Sequence, residues 1–197
     1  MKKKNFNKSG IAIDFGATKI SSTKILKGKF KNTKTELTSI YKNNKKYIHQ
    51  IENIIKNQIE SDVKKIGIAI TGRVDSEGNW YAVNKKNLGS FKIPLKKILK
   101  KKFNIEIKIM NDAIAACLGE SIYGKGKKYK RVGYITVSSG IGVGITIEQK
   151  PFVSESGLAG HLGFLTSTLG KMKCGSGRIG TFESIASGIA MSKIAHL

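Results

Sequence analysis

Asp14-Phe15-Gly16-Ala17-Thr18-Lys19 sets a carboxylate, a glycine turn, a hydroxyl and an ammonium group within six residues, directly after the apolar run Ile11-Ala12-Ile13. A strand end followed by such a turn offers backbone N–H groups, Thr18 and Lys19 to a polyphosphate, with Asp14 facing the accompanying magnesium ion. The same residues also fit an ordinary β-hairpin turn. Two later segments bear on that choice. Asn111-Asp112 stands between a strand pattern, Ile105 to Met110, and an apolar helix pattern, Ala113 to Leu118. A carboxylate at a helix N-terminus is favoured in its charged form. A charged, positioned carboxylate beside a substrate hydroxyl is what a general base for phosphoryl transfer requires. Asn and Asp also cap helices without doing chemistry, so the pair alone leaves both readings open. The third segment, Val137-Ser138-Ser139-Gly140-Ile141-Gly142-Val143-Gly144, supplies a second set of N–H groups between two strand patterns. No helix follows its glycines and no Gly-Lys-Ser/Thr ends it, so it is neither a dinucleotide fingerprint nor a P-loop.

The elements that would hold these groups are legible from periodicity. Ile11 to Ile13, Ile20 to Lys27, Lys29 to Ile40 and Lys65 to Thr71 read as strands. Ile48, Ile51, Ile54, Ile55 and Ile59 recur at helical spacing between Lys45 and Glu60. Asp75 to Asn79 is a turn leading into Trp80-Tyr81-Ala82-Val83, and Pro94 opens a helix through Phe103 with Leu95, Ile98 and Leu99 on one face. Gly124 to Lys130 is rich in glycine and lysine and marks a boundary between lobes. Val132 to Val137 and Val143 to Ile147 are strands, and Thr181 to Leu197 is helical with a break at Gly188.

The chain has 197 residues, enough to bury a core, and its formal net charge is +23. Of 36 basic residues only Arg73, Arg131 and Arg178 are arginine. Nucleic-acid readout leans on arginine forks, and these lysines are scattered over nearly every polar segment. The charge therefore reads as a solvated lysine surface, with no nucleic-acid partner expected. Cys117 and Cys174 give no disulfide framework. The sequence shows no signal-peptide core and no run of membrane-spanning length, so a cytoplasmic protein without a membrane partner is the expectation.

Taken in order, Asp14 to Lys19, Asn111-Asp112-Ala113, Ser139 to Gly144, Gly157-Leu158-Ala159-Gly160-His161-Leu162-Gly163 and Glu183-Ser184-Ile185-Ala186-Ser187-Gly188 resemble the ROK (repressor, open reading frame, kinase) family. Ile70-Thr71-Gly72, Ala82 to Leu88, Val137 to Gly140 and Ala159-Gly160-His161 resemble its branch that phosphorylates N-acetylmannosamine. Many hexose-specific members carry Glu at the place of His161. The resemblance implies an α/β, actin-like (RNase-H-like) two-lobed fold with ATP between the lobes and the second lobe incomplete. Residues 1–123 would form the N-terminal lobe and 124–197 part of the C-terminal lobe. Asp14, Gly16, Thr18 and Lys19 resemble the first phosphate loop, and Ser139, Gly140 and Gly142 the second. Asp112 resembles the base that takes the proton from the sugar 6-hydroxyl. Gly72, Arg73, Asn84, Asn111, Asp112, His161 and Glu183 resemble the residues of the sugar site. The cofactors implied are ATP and Mg2+, the substrate is N-acetylmannosamine, and a full-length chain would form a homodimer. Alternatives are a glucokinase or N-acetylglucosamine kinase of the same family, or an inactive sugar-binding remnant. A sugar-responsive repressor would need a helix-turn-helix module ahead of Ile11.

Two departures qualify these implications. Many members hold a structural zinc with one histidine and three cysteines in this glycine-rich stretch. Here those positions read Phe164, Cys174, Ser176 and Thr181, so no structural zinc is expected. The family pattern also continues for about a third of its length beyond Leu197, which makes a truncated or split reading frame with little activity of its own the expectation.

Overall fold

The structure is a computed structural model that describes residues 9–38, 44–81 and 92–195. Its first sheet has the strand order β3-β2-β1-β4-β8. Strands β1 (Ser9–Phe15), β2 (Lys19–Leu26) and β3 (Lys29–Leu37) form an antiparallel meander, while β4 (Val63–Ile70) and β8 (Glu106–Asn111) continue the sheet parallel to β1. Alternation along β1 sends Ile11, Ile13 and Phe15 to one face and Ala12 and Asp14 to the other. Ile66, Ile68 and Ile70 of β4 and Ile107 of β8 join the first set in the core.

Two helices cover that face. Tyr47, Ile51, Ile54 and Ile55 of α1 (Asn44–Lys56) and Leu95 and Leu99 of α2 (Leu95–Phe103) fill it. The expected helices are thus present, with Pro94 immediately before α2 rather than inside it. Phe15, Tyr47 and Trp80 meet edge to face, with ring centroids 6.1–6.3 Å apart. Between β4 and α2 lies a small antiparallel sheet of two-residue strands, β5 (Arg73–Val74), β6 (Trp80–Tyr81) and β7 (Lys92–Ile93). Asp75 folds the β5–β6 turn by accepting hydrogen bonds from Glu77 N–H, Asn79 N–H and the Tyr81 hydroxyl.

The second large sheet has the order β11-β10-β9, all antiparallel: β9 (Arg131–Val137), β10 (Ile141–Ile147) and β11 (Lys150–Pro151). Helix α3 (Asp112–Ile122) follows β8 directly and packs on this second sheet. The Cys117 thiol donates to the Val132 carbonyl, and a Cβ at Gly144 would lie 2.1 Å from the Ala113 carbonyl oxygen. Only glycine permits that approach. Gly144→Ala is therefore expected to destabilise the protein by about 1–3 kcal/mol through forced separation of β10 and α3, measurable as a lowered urea midpoint. The chain ends its described part in two short helices, α4 (Glu183–Ala186) and α5 (Gly188–Ala195). The break expected at Gly188 falls at Ser187, and Gly188 opens α5.

Candidate active site

Register brings the chemistry together. Asp14, Ala69 and Met110 lie in one row across β1, β4 and β8, and Phe15, Ile70 and Asn111 in the next. Asp14 and Asn111-Asp112 thus stand at the carboxyl ends of parallel strands, where open α/β sheets bind ligands. A cleft of about 530 Å³ opens there between the two large sheets. Asp14, Gly16, Thr18 and Lys19 line one wall, and Ser139, Gly140 and Gly142 line the opposite one. Gly72, Asn111, Asp112, His161 and Glu183 line the cleft as well.

The first loop is a closed turn: Gly16 N–H donates to the Lys19 carbonyl at 3.0 Å, and the Thr38 hydroxyl donates to the Gly16 carbonyl at 2.8 Å. The second is the β9–β10 hairpin, closed by Ser138 N–H to the Gly140 carbonyl at 2.9 Å.

Between them, Asn111 caps α3. Its Oδ1 accepts from Ala113 N–H and Ile114 N–H, and its Nδ2 donates to the Gly72 carbonyl and to Asp112 Oδ1, each at 2.9 Å. Ala113 N–H adds a 2.8 Å bond to the same Asp112 oxygen. Among the described residues, Asp112 Oδ2 accepts no hydrogen bond. Burial pushes the Asp112 carboxyl above the ordinary aspartate range, with the charge of Asp14 adding to the effect against the pull of the Ala113 bond. Asp14 is raised too, by desolvation against the cleft wall that outweighs the attraction of Lys19, although its side chain keeps solvent access. The Asp14 carboxylate at such a spot suits a magnesium ion that travels with phosphates, since Mg2+ is held by one or two carboxylates plus phosphate oxygens.

His161 sits at the other end of the cleft, its ring stacked on Phe164 with centroids 6.0 Å apart. Its Nδ1 is buried without a hydrogen-bond partner. Burial holds the imidazole below its ordinary range, so it is neutral at pH 7.

Arg73 is placed differently. Its guanidinium lies 3.7 Å from the centroid of the Tyr81 ring, and Nη1 donates to the Ser156 carbonyl at 2.6 Å. It does not line the cleft. Asn84 and the stretch 82–88 lie outside the described residues. Thr136 and Tyr134, to which the sequence alone assigns no role, also line the cleft; the apolar Ile135 and Val137 lie on the exposed face of β9, so alternation of hydrophobicity points away from them.

Cys174, Ser176 and Thr181 come together, with Cys174 Sγ 3.0 Å from Ser176 Oγ. Burial pushes the Cys174 thiol up, but hydrogen bonds with Ser176 and Thr181 outweigh it and hold the thiol below its ordinary range. One thiol and two hydroxyls are not a donor set for a structural zinc. Among the described residues no three His, Cys, Asp or Glu side chains gather as a metal cluster, and no helix is long and apolar enough to cross a membrane.

The chain is similar to several known proteins. The chain is 33% identical over 184 residues to the N-acetylmannosamine kinase of Vibrio cholerae, covering 93% of this chain and 63% of that protein. It is 31% identical over 186 residues to the N-acetylmannosamine kinase of Haemophilus influenzae, covering 94% and 61%. Among solved structures, the ROK family glucokinase from Streptomyces griseus, in complex with glucose and AMPPNP, superposes with a TM-score of 0.81 at 28% identity, over 95% of this chain and 60% of that one. The chain thus spans about three fifths of the length of these relatives. Its architecture is the actin-like α/β fold of ROK sugar kinases. The model of the ROK family matches residues 10–196, and the chain belongs to that family.

Proposed function

We propose that this chain carries the catalytic half of an ATP-dependent sugar kinase that transfers the γ-phosphoryl group of ATP to the 6-hydroxyl of N-acetylmannosamine. The observation that carries the proposal is the Asp112 carboxylate at the β8–α3 junction, facing two glycine-rich loops across one cleft. In this reading residues 1–123 belong to the first lobe and 124–197 to part of the second. The N–H groups of the two loops, with Thr18, Lys19 and Ser139, hold the polyphosphate. Asp14 sits beside the Mg2+ that accompanies it. Magnesium supplies charge neutralisation for the transferring group when it is bound.

Asp112 accepts the proton of the attacking hydroxyl. Its Oδ1 is held by Ala113 N–H and Asn111, which leaves Oδ2 for the sugar. A carboxyl raised by burial is a stronger base than an ordinary aspartate, and this suits general-base catalysis near neutral pH. Gly72, Asn111, His161 and Glu183 surround the place left for the sugar ring. His161 lines the cleft as a neutral imidazole, and a polar group of the site left without its sugar partner discriminates against analogues lacking that partner. The names of the Vibrio and Haemophilus relatives favour N-acetylmannosamine over glucose.

The test is a coupled ADP assay with N-acetylmannosamine, N-acetylglucosamine and glucose. N-Acetylmannosamine is expected to give the highest kcat/KM. A preference for glucose would move the chain to the glucokinase alternative; because little activity of its own is expected of this chain, the kinase reading is sunk by a chain that neither turns over nor binds Mg2+–AMPPNP or any of the three sugars. The pH dependence of kcat/KM is a second check. Because Asp112 must be ionised to accept a proton, activity falls as pH drops through its pKa. Its raised value places that acidic limb above the ordinary aspartate range.

A further inference from the structure

After β11 the chain runs from the second sheet to the first lobe and back. Phe152 N–H donates to the Ile145 carbonyl at 2.8 Å, and Val143 N–H donates to the Gly160 carbonyl at 2.9 Å, so both ends of residues 152–160 are fastened to β10. The middle is fastened elsewhere. Ser76 N–H donates to the Glu155 carbonyl at 3.3 Å, beside the Arg73 bond to the Ser156 carbonyl. Gly157 lies against the peptide that joins Val74 to Asp75. A Cβ there would overlap the Val74 carbonyl oxygen, and its φ of +73° disfavours any side chain. Residues 152–160 thus form a strap between the two lobes.

Strap and seat are both stiff. Within the strap, Gly157 N–H donates to the Ser154 carbonyl at 2.9 Å and Ala159 N–H to Ser154 Oγ at 3.1 Å. His161 follows the strap directly, its N–H donating to the Leu158 carbonyl at 3.2 Å. Gly160 and His161 line the cleft, whereas Gly157 and Asp75 do not. The seat is the β5–β6 turn, whose flanking Val74 and Trp80 are buried in the first core. Asp75 Oδ1 accepts from Glu77 N–H and Asn79 N–H, and Oδ2 accepts from the Asn79 amide and the Tyr81 hydroxyl. Burial pushes the Asp75 carboxyl up, but these bonds outweigh it and hold it below the ordinary aspartate range.

We infer that Asp75 and Gly157 are positioning residues for the sugar: the β5–β6 turn is the seat on which the first lobe holds the strap, and through the strap it sets how deep Gly160 and His161 stand in the cleft. The inference rests on the kinase reading for the ligand it names, and goes beyond it in giving two residues outside the cleft control over sugar affinity. Small displacements of a binding group are enough to weaken a ligand that needs oriented partners. Gly157→Ala forces the strap off its seat, and Asp75→Ala dismantles the seat. Asp75→Asn keeps an oxygen to accept from Glu77 N–H and Asn79 N–H, so the turn survives in it.

The experiment has two arms. In the first, N-acetylmannosamine and Mg2+–AMPPNP are titrated separately into wild type and the three variants by calorimetry. In Gly157→Ala and Asp75→Ala the sugar Kd is expected to rise about tenfold or more, the worth of one hydrogen bond, while the AMPPNP Kd stays within about twofold. Asp75→Asn is expected to keep the sugar Kd within about threefold of wild type. In the second arm, amide hydrogen exchange is measured without ligand. Val143 is expected to exchange about tenfold or more faster in Gly157→Ala and Asp75→Ala, with β1 and β4 amides unchanged. A sugar Kd that stays at the wild-type value in these two variants overturns the inference, and so does an equal loss of both ligands or unchanged exchange at Val143. Should Gly157→Ala fail to fold, the contrast between Asp75→Ala and Asp75→Asn decides. Wild type that binds neither AMPPNP nor any of the three sugars would sink the kinase reading instead, and the exchange arm would still decide whether the turn holds the strap.

Discussion

Replacing Asp112 by asparagine is expected to lower kcat with N-acetylmannosamine by about 10²–10⁴-fold, the usual worth of a positioned general base. The substitution changes little else. Asn at 112 keeps an oxygen to accept from Ala113 N–H and Asn111 Nδ2, so the cap of α3 survives. Stability should move the opposite way. The folded state raises the Asp112 pKa, so between the ordinary aspartate pKa and the raised one the native chain binds the extra proton. Stability of the wild type therefore falls as pH rises through that window. Asn cannot ionise, so D112N should be the more stable protein at pH 7, with the difference vanishing in acid below the ordinary aspartate range. Urea melts at both pH values, run beside the coupled assay, check the two halves together. A rate within twofold of wild type would remove Asp112 from the chemistry.

Trp80→Ala is expected to cost about 3–5 kcal/mol, the range for deleting a buried large aromatic side chain, seen as a fall in Tm of roughly 10 °C. Trp80 is 1% exposed and meets both Phe15 and Tyr47 edge to face. Its loss leaves a cavity under the end of β1, where collapse would have to move the strand that carries Asp14. The indole also donates to the Thr71 carbonyl at 2.8 Å, which fixes the peptide before Gly72. Gly72 in turn accepts from Asn111 Nδ2. The variant should thus lose catalytic rate as well as stability. Trp80→Phe restores most of the packing but not that bond, so it should recover more of the stability than of the rate. Thermal melts and initial rates on the two variants separate the effects. A Trp80→Ala Tm within about 2 °C of wild type would mean that this ring is not part of the core.

What the sequence made legible is what repeats over several residues. The alternation of Ile11, Ile13 and Phe15, the run Ile66 to Ile70 and the helical spacing of Ile51, Ile54 and Ile55 all reappear as buried faces. The cap at Asn111 was readable because one residue type does that job at one position. The sheet β5-β6-β7 was not fully legible, because two-residue strands are too short to show a period. Arg73 shows a second limit. Its neighbour Gly72 lines the cleft, but the Tyr81 ring and the Ser156 carbonyl, 83 positions along the chain, take its guanidinium. No local pattern announces a partner so distant. Glu183 is similar: its type and motif were visible, but not that two backbone N–H groups would meet its carboxylate.

The packing of α3 on β10 decides where Asp112 is anchored. Gly144 and Cys117 seat this helix against the second sheet, so Asp112 in its first turn is held against the sheet that also carries the glycine hairpin, while Asp14 and Lys19 belong to the first sheet. The amide of Asn111 ties the two together, capping α3 and donating to the Gly72 carbonyl. A substitution that loosens α3 from β10 therefore displaces Asp112 even where it touches no residue of the cleft.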